Sequence, residues 1–330
     1  MSKKGAIEIQ FNWIFVLIAG ALVLLIITGF VFRWMKSAQD SVAAESLRNI
    51  DSIITATGTV EGETNLIDMP DMAMSYDCKH LGYKGLSLGS LQTGSLFSPG
   101  RLKGSKIIMW VDGLFLPFYT GNVMYLTSNA AKYIIVSNST TRELNKTIAK
   151  AMNNHVNVQY IDESQYPLLL DENNYHTVVV FLSELKNPAP SFKEPVKAVK
   201  VRAYDNNISG ELEFYTAPGI HWVPNGTSAW TGNEMLIGGI ITGEHSLYEC
   251  VHSNLMGRWG IVVALLKHKL KIFMAEYPSE VTYASFNDTL SDLYKSVETN
   301  SYSTREFMNK IARIERSNTI LAYKGMPVVY

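Results

Sequence analysis

WIFVLIAGALVLLIITGFVF, residues 13–32, carries no charged side chain. About 20 apolar residues at a rise of about 1.5 Å match a hydrocarbon core of about 30 Å. Trp13 and Trp34 stand at the two ends of the run, where interfacial indoles belong. Lys3 and Lys4 precede it, and Arg33 and Lys36 follow it. The reading is a transmembrane helix over 13–34. A core helix of a soluble protein would be shorter and would carry polar positions. A cleaved secretory signal has a shorter apolar run and a small-residue A-x-A site, and neither is present, so the helix is expected to stay in the mature protein.

The rest of the composition is that of an ordinary folded chain. Of 330 residues, 47% are hydrophobic and 18% charged, so the chain is not a disordered one. With 29 Lys and Arg against 30 Asp and Glu, the formal net charge is −1, which excludes the basic field of a nucleic-acid binder. Two cysteines exclude a disulfide-dense scaffold and an all-cysteine zinc site. The mean hydropathy of +0.03 averages one extreme segment with a globular remainder.

The first residues, Lys3-Lys4-Gly5-Ala6-Ile7-Glu8-Ile9-Gln10-Phe11, resemble the class III signal peptide of archaeal type IV pilins and related surface proteins. In that family a basic pair and a glycine precede a peptidase cut, and an apolar helix follows at once. The resemblance implies cleavage after Gly5 and a long first helix that can assemble into a filament. The family usually carries Gln and Glu at the first and fifth mature positions, where this chain has Ala6 and Gln10, with its acid at Glu8. Phe97-Ser98-Pro99-Gly100-Arg101-Leu102-Lys103-Gly104 and Val123–Ser128 resemble segments of uncharacterised archaeal membrane proteins, and that likeness implies no activity.

Positive charge is nearly balanced across the span and does not orient it. Five N-x-[ST] sequons, at Asn138, Asn145, Asn207, Asn225 and Asn287, exceed chance and point to an extracytoplasmic domain, as glycosylation candidates. Cys78 and Cys250 either pair across a long loop, which suits an oxidising exterior, or are two unrelated buried thiols.

Beyond the span, 33–55 lacks Gly and Pro, and Val42, Leu47, Ile50, Ile53 and Ile54 recur at near-helical spacing. This predicts a helix running on to about Gly58. Residues 59–104 are loop-rich with short strands. Strands are expected at Ile107–Val111, Tyr133–Val136, Val156–Ile161, Val178–Leu182, Val196–Ala203 and Glu211–Tyr215. Thr140 and Glu143 read as a capping box opening a helix to about Met152. Glu244–Glu276 reads as a long helix stopped by Pro278. Phe286, Leu290, Leu293 and Val297 mark a second helix, and Phe307, Ile311 and Ile314 a third, parted by Asn300–Ser303. Ile320–Tyr323 is expected to add a strand.

The expected fold is α+β. A cytoplasmic N-terminus (1–12) leads to the transmembrane helix (13–34) and an amphipathic stalk helix (35–58). A mixed-sheet exterior domain (59–330) follows, with one strand–helix–strand unit. Its 59–217 portion is sheet-rich and its 218–330 portion is a helical cap.

Few motifs carry chemistry. Gly85-Leu86-Ser87-Leu88-Gly89 matches G-x-S-x-G, but no helix opens after it as that nucleophile turn requires. His245, Glu249 and His252 fall within about 60° of one another on a helix, a weak candidate set for Zn²⁺ or Fe²⁺. Their alternative is a solvated face opposite Leu247, Val251 and Leu255. Cys250 lies about 140° from His245, toward the apolar side. The turn Ser137–Thr140 stands at a helix start, where anions bind, but lacks the glycines of a phosphate loop. His80, His155, His176, His221 and His268 have no partner in spacing. Trp222, Trp230 and Tyr215 surround an expected loop, Gly219–Gly232, as a contact surface or as packing.

The sequence therefore reads as a single-pass cell-membrane protein with its C-terminal domain outside, of interaction or envelope-structural type. No catalytic residue and no cofactor is identified. The bilayer and another envelope or surface protein are the expected partners, and nucleic acid is not. A pilin-like filament subunit and a membrane-anchored metal-dependent enzyme are the alternatives.

Overall fold

The computed structural model describes residues 4–57, 60–69, 73–83, 86–87, 95–166, 176–187, 196–204, 208–219, 221–299 and 303–330, with the backbone alone for 4–12, most of 36–46 and 86–87. The fold is α+β, and the chain divides into two compact units, Met1–Asn49 and Ile50–Tyr330. Helix α1 runs from Lys4 to Thr57. Its stretch Trp13–Met35 is long and apolar enough to cross a membrane, and no side chain in it is buried. The hydroxyl of Thr28 donates to the carbonyl of Leu24 at 2.7 Å, so the one polar side chain of the 13–32 run is satisfied within its own helix.

In the second unit, Ile50 and Ile54 are buried and Ile53 is half-buried, while Asp51, Ser52 and Thr55 are exposed. Val42 belongs to the residues whose side chains lie outside the described set. Strands β1 (Thr64–Asp68), β2 (Ala73–Tyr76), β3 (Leu81–Tyr83), β4 (Leu86–Ser87), β5 (Leu96–Phe97) and β6 (Arg101–Lys103) are the short strands of the loop-rich stretch. Two ten-residue strands follow, β7 (Lys106–Phe115) and β8 (Tyr119–Ser128). These eight make two four-stranded sheets, ordered β1–β7–β8–β5 and β4–β3–β2–β6.

The third sheet has six strands. They are β9 (Ala131–Ser137), β10 (Val158–Asp162), β11 (His176–Phe181), β12 (Val196–Tyr204), β13 (Ser209–Ala217) and β14 (Val223–Thr231), in the order β10–β9–β11–β12–β13–β14. The first four run parallel, and β13 and β14 are added antiparallel. Helix α2 (Arg142–Ala151) joins β9 to β10, giving the strand–helix–strand unit. Every residue of β11 is buried. Such a strand lies between covered faces, which is why Val178–Leu182 is a continuous apolar run instead of an alternating one. On one face, Ile134, Val136, Val179 and Phe181 pack with Tyr166 and Trp222. Toward α3 (Gly232–Thr242), the hydroxyl of Tyr133 donates to the carbonyl of Ile241 at 3.4 Å and accepts from the Thr127 hydroxyl at 2.7 Å.

Helix α3 is buried from Met235 to Thr242. A Cβ at Gly238 would lie 2.4 Å from the Phe97 ring, and one at Gly239 would lie 2.2 Å from Leu212 Cδ1. Only glycine lets this helix approach both β5 and β13 so closely. Helices α4 (His245–Glu276), α5 (Val281–Glu298) and α6 (Thr304–Tyr323) complete the unit. Phe286, Leu290, Leu293, Phe307, Ile311 and Ile314 are buried at the expected helical spacing. The Oγ of Ser303 accepts from the Glu306 amide at 3.2 Å and caps α6.

Three local expectations are corrected. Gly219–Gly232 is not a loop: β14 fills most of it, pairing with β13 across a shift at Phe214/Tyr215. Ile320–Tyr323 is the last turn of α6 and not a strand, because the helix is still burying Leu321. The capping box before α2 is Asn138 with Thr141, not Thr140 with Glu143. It opens a 3-10 turn, Ser139–Thr141, that leads into the α-helix.

Candidate functional site

Helix α4 begins where Glu244 pairs with Lys197 of β12, and its first turns lie along β14. Leu247, Tyr248, Val251 and Leu255 are buried, so the helix turns Glu249, His252, Ser253 and Met256 toward a second surface. That surface is one wall of a cleft of about 780 Å³. Thr227, Ser228 and Ala229 of β14 line it, as do Gly257, Gly260, Ile261 and Ala264 of α4 and Tyr294, Val297 and Glu298 of α5. Gly260 faces Tyr294, whose Cε2 would lie 3.3 Å from a Cβ there. At Gly257 a Cβ would meet nothing within 4 Å.

Polar groups in this cleft are unspent. The Oγ of Ser228 is buried without a hydrogen-bond partner, in a residue only 4% exposed. A buried hydroxyl left unpaired costs about 1–3 kcal/mol. The imidazole of His252 stacks on Tyr248, with ring centroids 5.8 Å apart. Burial lowers the His252 pKa, while the nearby Glu249 carboxylate opposes that shift. At neutral pH the ring is therefore an uncharged donor and acceptor. The Tyr248 hydroxyl is bound to the Ala229 carbonyl at 2.8 Å, tying α4 to the outer strand of the sheet.

The three residues of the weak metal set separate. His245 packs edge-on to Phe214, 5.8 Å between centroids, and lies over Gly226. A Cβ at Gly226, where φ is +145°, would come within 2.4 Å of the His245 ring. Only Glu249 and His252 reach the cleft. Among the described residues no three His, Cys, Asp or Glu side chains form a metal-binding group. Ser228 makes no hydrogen bond to His252, so the nucleophile–base contact of a serine hydrolase is not formed there.

The other expected residues are placed as follows. Cys78 and Cys250 meet at an S–S distance of 2.07 Å and a Cα–Cα distance of 6.3 Å, linking the β2–β3 turn to α4. The side-chain oxygen of Asn138 accepts from the Thr140 and Thr141 amides at 3.0 and 3.2 Å, and its Nδ2 donates to Glu163 at 2.7 Å. The amides that would hold an anion are thus occupied, with a carboxylate beside them. Asn145 Nδ2 donates to Ser137 at 2.8 Å, and Asn287 Oδ1 is buried without a partner. Asn225 is exposed on β14. Asn207 lies outside the described residues, as do Gly85, Leu88 and Gly89 of G-x-S-x-G; Leu86–Ser87 form β4. Met1–Lys3 lie outside them too, and at Gly5 only the helical backbone is described. Trp230 is fully buried, and Trp222 is buried with its indole donating to the Lys186 carbonyl at 2.8 Å, so these rings pack the sheet and offer no contact surface.

Of the remaining histidines, His80 contacts Asp77 at 3.2 Å, and His155, His221 and His268 are exposed. His176 is buried edge-on to Tyr133, and burial with the Lys197 charge pushes its pKa down to about 3. A second cleft, which the sequence did not single out, gathers Glu61, Asp112, Glu234 and Lys150. Burial first, then repulsion from Glu61, raises the Asp112 pKa; burial, then Asp112 and Glu61, raises that of Glu234. These acids are far apart in sequence, at 61, 112 and 234, so no spacing pattern reveals them. Compared with protein-family models, curated proteins and solved structures, the chain matches none.

Proposed function

We propose that this chain is a single-pass membrane-anchored cell-surface protein whose α+β unit stands outside the cell and binds a partner or ligand. The observation that carries the reading is the stretch Trp13–Met35: 23 residues of mean hydropathy 3.0, none of them covered by protein. Apolar area of this extent left in water is unfavourable by about 25 cal/mol per Å², so lipid is its natural surround. The Cys78–Cys250 link favours the oxidising side for the second unit. The cleft of about 780 Å³ between β14 and α4, with a buried unpartnered Ser228 hydroxyl in its lining, supports a binding role.

Protease treatment of intact cells tests the reading. Loss of the Ile50–Tyr330 unit from unlysed cells is the expected result, and protection until lysis overturns it. A filament subunit is the second reading, favoured by one unbroken helix from Lys4 to Thr57 after the basic pair Lys3-Lys4. Intact-mass measurement separates the two: cleavage after Gly5 supports the filament, and retention of Met1 or Ser2 contradicts it.

A further inference from the structure

We propose that the cleft between β14, α4 and α5 binds an organic ammonium ion that carries an apolar or aromatic body. The inference deepens the reading of this unit as a binding module by naming the class of ligand.

The charge of the lining comes first. Among the described residues, Glu249 and Glu298 are its charged side chains and neither Lys nor Arg lines it. A carboxylate or phosphate ligand would meet uncompensated repulsion there, whereas a cation gains from both acids. Among the described residues neither acid forms an ion pair with a Lys or Arg. The uncharged acceptors come second. Ser228 lines the cleft and its buried Oγ has no hydrogen-bond partner, and among the described residues no hydrogen bond occupies His252. A primary ammonium has three N–H donors and no acceptor. Glu249, neutral His252 and Ser228 all line the cleft and are acceptors of the kind an ammonium needs. Protonated His252 would repel the ligand, and burial works against that form.

The body of the ligand is set by the rest of the wall. Met256, Ile261, Ala264 and Val297 are apolar, and the missing side chains at Gly257 and Gly260 leave room against the helix backbone. Tyr294 adds an aromatic surface. Its ring already holds the Lys267 ammonium 5.6 Å from its centroid, so the carboxylates and not the ring select for charge. A volume of about 780 Å³ suits a small organic molecule.

The test uses the full chain in phosphatidylcholine nanodiscs, with saturation-transfer NMR and calorimetry. Benzylammonium is the probe; benzyl alcohol and benzoate are its neutral and anionic counterparts. Benzylammonium is expected to bind at least about tenfold more tightly than either, and Glu249→Gln to remove about tenfold of that affinity. Gly257→Leu fills the open space at position 257 and improves helix propensity, so it blocks the cleft without unfolding α4. It is expected to abolish binding with no fall in melting temperature. Equal binding of benzyl alcohol, or equal signals from wild type and both variants, as partition into the disc would give, overturns the proposal. So does the absence of benzylammonium binding. The nanodisc measurement is indifferent to which side of the cell membrane the unit occupies, so its failure and that of the protease experiment are separate results.

Discussion

Residues 13–32 and residues 178–182, most of them in strand β11, are both apolar runs, and they end in opposite surroundings. In the first, Leu24 and Ile26 are 68% and 71% exposed; in the second, Val178, Val179 and Val180 are 0% exposed. Hydrophobicity does not separate them; length and backbone hydrogen bonding do. A helix satisfies its own amides and can place 20 apolar side chains in lipid. A six-residue strand must borrow its hydrogen bonds from β9 and β12, and so it is buried by the sheet that completes it. The lesson is that an apolar run is assigned by what must cover it.

One substitution type made in both runs sharpens the contrast most. Val179→Asp places an unpaired carboxylate in the core, and the Ile50–Tyr330 unit is expected to lose about 4–5 kcal/mol or more and fail to fold. The chain should still pellet with membranes. Leu24→Asp should do the reverse, costing about 2.5–3.5 kcal/mol of insertion while leaving the thermal transition of the folded unit in place. Fractionation and circular dichroism read both. A Leu24→Asp chain whose transition falls would mean that the span packs on protein.

The disulfide comes next. Cys250→Ala should cost about 2–5 kcal/mol in oxidising buffer and nothing in reductant, where wild type should fall to the variant's stability. Denaturant unfolding with and without dithiothreitol measures this. A variant as stable as oxidised wild type would remove one support for the exterior placement.

His176 gives a pH signature that the span cannot share. Its folded-state pKa of about 3 lies below the usual value of 6.5. As pH falls below 6.5 the unfolded chain takes up a proton that the folded chain refuses, so stability falls with pH down to about 3. The loss attributable to His176 is about 2 kcal/mol between pH 6.5 and pH 5. His176→Phe should flatten that limb of the stability profile; an unchanged slope would contradict the buried neutral imidazole.

Asp112 has the opposite sign. Its raised pKa makes the folded state hold its proton longer, so stability is lost as pH rises through the carboxylate range. Asp112→Asn should raise the melting temperature by a few degrees at pH 7 and have no effect at pH 3. The smallest effect is at the turn: Asn138→Ala removes the cap and should cost about 1 kcal/mol by chemical denaturation.

Periodicity made much of the architecture legible. Val178–Leu182 announced a buried strand, and Phe286/Leu290/Leu293 a helix face, because one element's own pattern records which side it buries. Helix α3 was not legible: Met235–Thr242 is apolar on all sides, so it has no period, and Gly238 and Gly239 disguise a helix whose glycines answer to Phe97 and Leu212. The cleft was half legible. Glu249 and His252 share a helix face, which the spacing showed. Ser228 joins them only because β14 is the outer strand of the sheet beside α4, a tertiary fact with no local signal.

The central claim is that Trp13–Met35 lies in lipid with the disulfide-linked unit outside. Tyr323 is 94% exposed, and Tyr323→Cys adds a thiol to a chain whose own two cysteines are bonded to each other. Treating intact cells with a membrane-impermeant maleimide tests the claim most directly. The account predicts full labelling at position 323 before lysis and none in the wild type. Labelling that appears only after the membrane is broken would contradict it.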